Sequence, residues 1–388
     1  MKRNRQARKL LGISLVLTAA LAVGAATTLF GVCGPFADVT DAGFCPFVLE
    51  VFYLGITTGT SPTTYDPASA VSRLQMAAFL SRSVDGTLRR GNRRAALNQF
   101  WTTGGAINLS VTTIGTTLNL VQSDGTDIWA AGDGNIARVR GGDGRLLETW
   151  TGAGSAYGVL AANGKIFATG QTNPGKLFRI DPSQPAGVVT TVASNLGASP
   201  TMMAFDGSRI WTANLGGPGS VSIVTPTASF PWTVTTVAGF LEAAGILYDG
   251  ANIWTTDLTA NTLIKLDANA AVLQTVTVGS GPKFPIYDGT NIWVPNIFGA
   301  SVTVVRASNG AVLATLTGNG LSFPNAAAFD GQRILVTNGT DNVSLWKAAD
   351  LTPMGSVFTG SGSGPLGACS DGVSFWIGIS GPARLARF

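Results

Sequence analysis

The most regular feature of the chain is a short pattern in which a polar turn pair is followed closely by a branched aliphatic residue and an aromatic one. It occurs seven times at intervals of 39 to 43 residues, starting at Asp124, Asn163, Asp206, Asp249, Asp288, Asp330 and Asp371. A short apolar run precedes each turn, and β-prone runs such as SVSIV at 220–224 follow it. The pattern predicts four short strands per period, which is typical of a β-propeller blade.

The ends of the repeat array predict how the ring closes. The last repeat reaches Phe388 without a fourth strand, whereas the β-prone segment 106–114 precedes the first repeat, where a fourth strand belongs. Pairing these two segments would leave no free sheet edge at the seam. The sequence therefore predicts a mainly β protein in which residues 104–388 form a seven-bladed β-propeller.

One bulky residue in each repeat occupies the same strand position. It is aromatic in six repeats, and Leu335 replaces the aromatic residue in the sixth; the aromatic residues are Trp129, Phe167, Trp211, Trp254, Trp293 and Trp376. Inside a strand and beside Ile or a similar residue, such side chains are expected to pack between neighbouring blades, each burying a large apolar area. The alternative is a ring of aromatics that stack on a ligand.

The acidic residue that opens most repeats is interpreted as a turn former. Asp, Asn and Gly tolerate positive φ in tight turns, and one isolated carboxylate per blade does not make a metal cluster. The alternative is that these carboxylates ligate a metal. We expect neither a metal nor a cofactor.

The first 32 residues are typical of a secretory signal, because a basic stretch precedes an apolar run of about 20 residues. An uncleaved membrane anchor is the alternative. Five of the 25 basic residues lie in this segment, so the rest of the chain carries 20 basic and 21 acidic side chains, a net charge of −1. The basic character therefore belongs to targeting, and we expect no nucleic-acid partner.

Residues 33–85 are predicted to form a small helical module. A short helix is expected over 45–55, with Pro46 near its first turn. A second helix is expected to begin at Ser72, whose partner Gln75 three residues later completes a capping box. Cys33 and Cys45 could form a disulfide in an exported chain, and Cys369 is expected to be a buried small hydrophobic residue.

A basic linker is expected over 86–103, between the helical module and the propeller. It includes Arg89, Arg90, Arg93 and Arg94. These side chains could bind phosphate or uronate polymers, or they could form a solvated face.

Two family resemblances follow from these motifs. WTAN at 211–214, WVPN at 293–296 and LVTN at 335–338 resemble the YVTN repeats of seven-bladed propellers. FADV at 36–39, LGIT with Gly59, YDP at 65–67 and SRLQMAAFL at 72–80 resemble one S-layer homology motif. Such motifs bind cell-envelope polysaccharide, which implies a polysaccharide contact at Ser72 and Arg73. Leu74 and Gln75 depart from the family pattern, and an exposed helix start without a ligand is the alternative for Arg73.

Catalytic motifs are scarce. The sequence contains no His, which removes Ser-His-Asp triads and the commonest general acid or base. The propeller resembles streptogramin lyases, but their active site relies on His, so that activity is not transferred. We expect an exported, non-catalytic binding or scaffold protein, secreted or in the cell envelope of a bacterium. The alternatives are a hydrolase or lyase that uses channel carboxylates, and an assembly or signalling partner bound through the propeller face.

Overall fold

The computed structural model describes residues 33–41, 43–53, 56–80, 110–114, 117–381 and 383–388. The chain divides into two compact units, with the boundary after Thr102. The expected signal segment 1–32 and the expected linker 86–103, with Arg89, Arg90, Arg93 and Arg94, lie outside the described residues.

The second unit is built from β-strands that follow the predicted period. In chain order they are β1 Ser110–Thr113, β2 Leu118–Ser123, β3 Asp127–Gly132, β4 Gly134–Arg140, β5 Leu146–Ala153, β6 Ala156–Ala162, β7 Lys165–Gly170, β8 Gly175–Ile180, β9 Thr190–Leu196, β10 Pro200–Phe205, β11 Ile210–Asn214, β12 Gly219–Thr225, β13 Thr233–Phe240, β14 Ala243–Tyr248, β15 Ile253–Asp257, β16 Thr262–Leu266, β17 Val272–Thr277, β18 Ile286–Tyr287, β19 Asn291–Asn296, β20 Ser301–Arg306, β21 Val312–Thr317, β22 Pro324–Phe329, β23 Arg333–Asn338, β24 Asn342–Lys347, β25 Pro353–Phe358, β26 Pro365–Ser370, β27 Phe375–Ile379 and β28 Arg384–Arg387.

These strands form seven four-stranded antiparallel sheets, which we number as blades 1 to 7 from β2 onwards. In blades 1 to 6 four consecutive strands pair in chain order, from a first strand to a fourth. The first strands contact their counterparts in the neighbouring blades, and β26 contacts β2. The first strands therefore line the centre of a closed ring, and the predicted seven-bladed propeller is confirmed.

Burial follows from this arrangement. The second strand of each blade is almost entirely buried, as in β11 and β23, because neighbouring blades cover both of its faces. The fourth strands, such as β13 and β21, alternate between exposed and partly buried residues. The core thus consists of separate apolar clusters between successive blades, in place of one central core.

The seam of the ring lies in blade 7. There β1 pairs antiparallel with β28, with Ser110 opposite Arg387 and Thr113 opposite Arg384. The segment at the start of the propeller therefore supplies the fourth strand of the last blade, as predicted. The pairing covers 110–113, and the expected residues 106–109 lie outside the described part of the chain.

The first unit contains helix α1 at Cys45–Tyr53 and helical residues 73–80, which we label α2. Its small core gathers Cys33, Phe36, Val39 and Val48. The ring of Phe36 makes edge contacts with two other aromatic rings, at centroid distances of 5.0 and 5.5 Å. A disulfide joins Cys33 to Cys45 and ties the start of this unit to the start of α1.

Candidate ligand site at the channel mouth

The repeated Asp residues are structural acceptors. In each Asp-Gly turn one carboxylate oxygen accepts the backbone N–H groups two and three residues later, as Asp206 Oδ1 does from Ser208 and Arg209 at 2.9 and 2.7 Å. The same pair of bonds forms at Asp124, Asp249, Asp288, Asp330 and Asp371. These carboxylates therefore hold the turn that reverses the chain between the first and second strands.

Asp does not adopt a positive φ in these turns, contrary to the expectation from the sequence. Only the glycine has positive φ in the Asp-Gly turns, for example 97° at Gly207 and 95° at Gly250. Both residues have positive φ in the second repeat, at Asn163 and Gly164. Asp is thus used for its two acceptor oxygens, whereas Asn163 occupies a left-handed turn that Asn tolerates.

The second carboxylate oxygen binds the repeated tryptophan. The indole Nε1 of Trp129, Trp211, Trp254, Trp293 and Trp376 donates to Oδ2 of the Asp five residues earlier, at 2.7–2.8 Å. Burial alone would raise the pKa of Asp206, but the donors from Trp211, Arg209 and Ser208 outweigh burial and hold that pKa below its usual range. The turn residue and the aromatic residue, interpreted separately from the sequence, thus form one unit.

The repeated aromatic side chains are buried. The five tryptophans are at most 1% exposed, and Phe167 is also buried. They lie in the apolar clusters between blades, as Trp211 does with Ile253 of the next blade. The inter-blade interpretation therefore fits the structure, and these rings offer no surface to a ligand.

The YVTN-like segments also have a structural role. The side-chain amides of Asn214, Asn296 and Asn338, fully buried at the ends of second strands, donate to side-chain oxygens on the next strand. Asn214, for example, donates to Ser220 and Ser222. These residues stabilise the end of each blade at which the first strand begins and the second strand ends.

The start of each first strand defines the mouth of the central channel. In each blade, one residue at the start of the first strand pairs with the last residue of the second strand. The residues that directly follow this pairing are Asn119, Tyr157, Thr201, Ala244, Lys283, Asn325 and Leu366. Lys283 is the only charged residue at this position. We call these seven residues the channel mouth.

An apolar plug lies directly behind the mouth. Leu120, Phe284 and Ala326 are buried there, and Tyr157, Met202 and Leu366 pack against them. The rings of Tyr157 and Phe284 have centroids 6.0 Å apart. Burial raises the pKa of Tyr157 to about 12, so its hydroxyl stays protonated at neutral pH.

A cavity of about 190 Å³ lies on the other side of the plug, towards the Asp-Gly turns. Its walls are mainly Val, Met, Ile, Ala and Phe side chains of the first strands, with polar side chains at Gln122 and Ser370. Cys369 also lines it and is buried, as expected from the sequence, and burial raises the pKa of its thiol. This end of the channel is therefore suited to apolar groups.

Lys283 is held in place by irregular backbone in blade 5. The first strand of blade 5, β18, has only two residues. The segment before it forms hydrogen bonds with blade 6, where the N–H of Phe284 donates to the carbonyl of Asn325 at 3.1 Å. The Lys283 Nζ donates to Asn325 Oδ1 at 3.2 Å and lies 5.6 Å from the centroid of the Phe284 ring. Burial lowers the pKa of Lys283, because the charged form is partly desolvated.

The predicted polysaccharide residues lie in the first unit. Ser72 and Gln75 form the expected capping box, with reciprocal bonds of 2.8 and 3.2 Å, and Arg73 is exposed at the start of α2. The carboxylate of Asp38 accepts the N–H groups of Tyr65 and Asp66, joining the FADV and YDP segments. These bonds join segments that carry the S-layer resemblance, and Arg73 is exposed at the capped helix start, as are Ser72, Leu74 and Gln75.

Within the described ranges, no three His, Cys, Asp or Glu side chains are grouped so as to hold a metal ion. No helix in those ranges is long and apolar enough to cross a membrane.

The Lys283–Asn325 pair was not predicted from the sequence, because the two residues are 42 positions apart. The only available signal was a charged residue at a repeat position where the other repeats place neutral residues.

Comparison with known proteins supports the fold. No family model matches the chain, and no curated protein matches it. Among solved structures, a streptogramin B lyase is similar with a TM-score of 0.60 and 14% identity, over 74% of this chain and 99% of that one. The virginiamycin B lyase of Staphylococcus aureus has a TM-score of 0.59 and 15% identity, over 72% and 98%. The WD40 propeller domain of Doa1 has a TM-score of 0.59 and 14% identity, over 72% and 95%. At these identities the likeness concerns the propeller fold alone.

Proposed function

We propose that this chain is an exported binding protein of the bacterial cell envelope, with the propeller as its ligand platform and the first unit as a contact to envelope polysaccharide. The observation that supports the proposal most directly is that the repeated carboxylates accept hydrogen bonds within the fold. In six blades each one accepts two backbone N–H groups and a buried side-chain donor, either indole or guanidinium. These carboxylates therefore stabilise the fold, and we propose the channel mouth as the place where a ligand binds.

The envelope location draws on the first unit. The Cys33–Cys45 disulfide suits an oxidising compartment outside the cytoplasm. The capped start of α2 presents Arg73 to solvent, where a guanidinium can contact a carboxylate or phosphate of a polymer through two parallel hydrogen bonds.

The alternative is a secreted hydrolase or lyase that acts through channel carboxylates. It draws on the likeness of the fold to two lyases. The two glutamates of the propeller lie in different blades, and each has a partner of its own, which favours the binding role. Glu148 pairs with Arg138 at 2.8 Å on the outermost strand of blade 1. Glu242 lies two residues before the mouth residue Ala244 and accepts the hydroxyl of Thr259.

Sedimentation of the full mature chain with purified envelope polysaccharide tests the polysaccharide contact. Losing one charge-assisted contact costs about 1.5–3 kcal/mol, so Arg73→Ala should weaken binding roughly ten- to hundredfold while thermal stability stays unchanged. Arg306→Ala, which removes an exposed arginine from the propeller, is the matched control and should sediment like the parent. Equal binding by the parent and Arg73→Ala would contradict the proposed contact.

A further inference from the structure

Blades 5 and 6 contribute Lys283 and Asn325 to the channel mouth, and each of these two blades also carries an exposed aromatic ring, Phe298 in blade 5 and Phe323 before the first strand of blade 6. Lys283 has Asn325 as its side-chain hydrogen-bond partner, and in the described part of the chain no carboxylate lies within ion-pair distance of it. By contrast, the Lys165 Nζ lies 2.6 Å from Asp181. A lysine ammonium has three N–H donors, so Lys283 retains capacity for an anionic partner.

Phe323 occupies a backbone conformation that a large side chain rarely adopts. Its φ is 51°, and at the same repeat position Ser155, Ser199, Gly281 and Gly364 have φ between 50° and 70°. Five blades therefore have left-handed backbone there, which Gly accepts freely and a bulky residue adopts only at a cost. Phe323 is nevertheless 53% exposed, so burial of its ring does not account for the choice.

Hydrogen bonds connect Phe323 to the lysine. The Asn325 Nδ2 donates to the carbonyl of Phe323 at 3.1 Å, while its Oδ1 accepts from Lys283. The amide of Asn325 therefore fixes the orientation of both neighbours, and the backbone bond from Phe284 to Asn325 holds the two blades together at this point.

A second exposed ring belongs to blade 5, which also contains Lys283. Phe298 is 65% exposed, and its ring packs against Gly281, where an added Cβ would lie 2.5 Å from Phe298 Cδ2. Gly281 precedes Lys283 by two residues, so its lack of a side chain leaves the space that this ring occupies.

We propose that Lys283, Asn325, Phe323 and Phe298 form a binding site for a sugar acid, in which Lys283 binds the carboxylate and the phenyl rings contact the apolar face of the sugar ring. This inference rests on the proposed binding function and specifies the ligand class of the propeller. The ammonium supplies a charge-assisted hydrogen bond, and contact with an aromatic face buries the C–H side of a pyranose. A strained, exposed aromatic residue is retained where it contributes to binding.

The test is a titration of the full mature chain with D-glucuronate, followed by saturation-transfer NMR. D-glucose keeps the ring without the carboxylate, acetate keeps the carboxylate without the ring, and benzoate replaces the sugar by an aromatic ring. We expect D-glucuronate to bind at least tenfold more tightly than each of these three probes, since one charge-assisted hydrogen bond or one ring contact corresponds to roughly that factor.

Two variants locate the site. Lys283→Met keeps an unbranched apolar chain and should weaken D-glucuronate binding at least tenfold, whereas Lys176→Met, at an exposed lysine of β8, should leave it unchanged. Phe323→Ser installs the residue that two other repeats place at this position, so it should fold normally and still weaken binding several-fold.

Three results would overturn the inference: absence of D-glucuronate binding by the parent chain, equal binding by Lys283→Met and Lys176→Met, or tighter binding of benzoate than of D-glucuronate. The polysaccharide contact at Arg73 is measured separately by sedimentation. If sedimentation does not depend on Arg73 but D-glucuronate binding depends on Lys283, the polysaccharide contact alone is rejected. If sedimentation depends on Arg73 but D-glucuronate binding does not depend on Lys283, the sugar-acid site alone is rejected.

Discussion

Blades 3 and 6 carry nearly the same turn, DGSRIW and DGQRIL, but stabilise it differently. In blade 3, Asp206 Oδ2 accepts from both Trp211 and Arg209, and Arg209 lies over the indole at 5.1 Å. In blade 6, Leu335 replaces the tryptophan, and Arg333 donates to Asp330 Oδ2 through Nε and Nη2, at 2.8 and 2.7 Å.

The loss of the indole changes the environment of the arginine. The Arg209 side chain is 24% exposed, whereas that of Arg333 is 5% exposed and lies over Phe375 of blade 7 at 5.2 Å. In these two blades the acceptor oxygen is therefore the shared part of the turn, and its donor is an indole in one and a guanidinium in the other. A blade that has this carboxylate needs a buried donor for it, because an unpaired buried carboxylate is costly.

The opposite ends of the same two blades differ in another way. Before its first strand, blade 3 has Ser199 and blade 6 has Phe323, both in left-handed backbone. Substitution at the turn end preserves a hydrogen bond, whereas substitution at the mouth end places an exposed phenyl ring in a strained position. The difference at the turn end leaves the fold stabilised in the same way, and the difference at the mouth end is consistent with the proposed ligand site.

The largest expected effect concerns the buried ion pair of blade 6. Asp330→Asn leaves Arg333 buried beside a neutral amide, and breaking such a pair typically costs about 3–5 kcal/mol. Asp206→Asn should cost less, about 1.5–3 kcal/mol, because Arg209 can turn towards solvent. Urea unfolding at neutral pH measures both losses. Equal losses would show that burial of the arginine does not distinguish the two blades.

An intermediate effect concerns the indole donor of blade 3. Trp211→Phe keeps most of the ring but removes the bond to Asp206, which should cost about 1.5–3 kcal/mol at neutral pH. Since the pKa of Asp206 lies below its usual range in the folded protein, the stability due to this bond is fully present above the ordinary Asp pKa and is lost as the pH falls through the depressed folded-state pKa. The difference between parent and variant should therefore be constant near neutral pH and shrink only below the ordinary Asp pKa of about 4.

Acid-dependent urea unfolding of the parent and Trp211→Phe provides this measurement, with Phe167→Leu in blade 2 as the control. Phe167 has no indole N–H, so its variant should lose stability without the same narrowing at low pH. A constant difference between parent and Trp211→Phe across that range would contradict a charged acceptor.

The smallest expected effect is at the mouth of blade 6. Phe323→Gly removes left-handed strain worth about 1–2 kcal/mol, partly offset by about 0.5–1 kcal/mol of additional chain entropy in the unfolded state. The variant should thus be as stable as the parent or slightly more stable. Ser199→Gly in blade 3 is the matched control. A clear loss of stability in Phe323→Gly alone would show that the ring supports the fold, which would weaken the case for its binding role.

Much of the fold was readable from the sequence because the signals are local and repeated. The recurring turn and aromatic positions indicated seven blades, and the missing strand before Phe388 indicated closure through 106–114, confirmed over 110–113. The capping box at Ser72 and Gln75 was readable for the same reason, since both partners lie in one helical turn.

The tertiary structure alone decided which residues of different repeats meet. The propeller places equivalent positions of successive blades side by side although about 40 residues separate them in sequence, and Lys283 and Asn325 meet in this way. It also decided that Asp and Trp of one repeat share a hydrogen bond and that Arg333 takes over where the indole is missing. The periodicity of the sequence specifies the blades of the ring. Contacts between blades depend on how the sheets twist and how the ring closes, and no local sequence pattern encodes this.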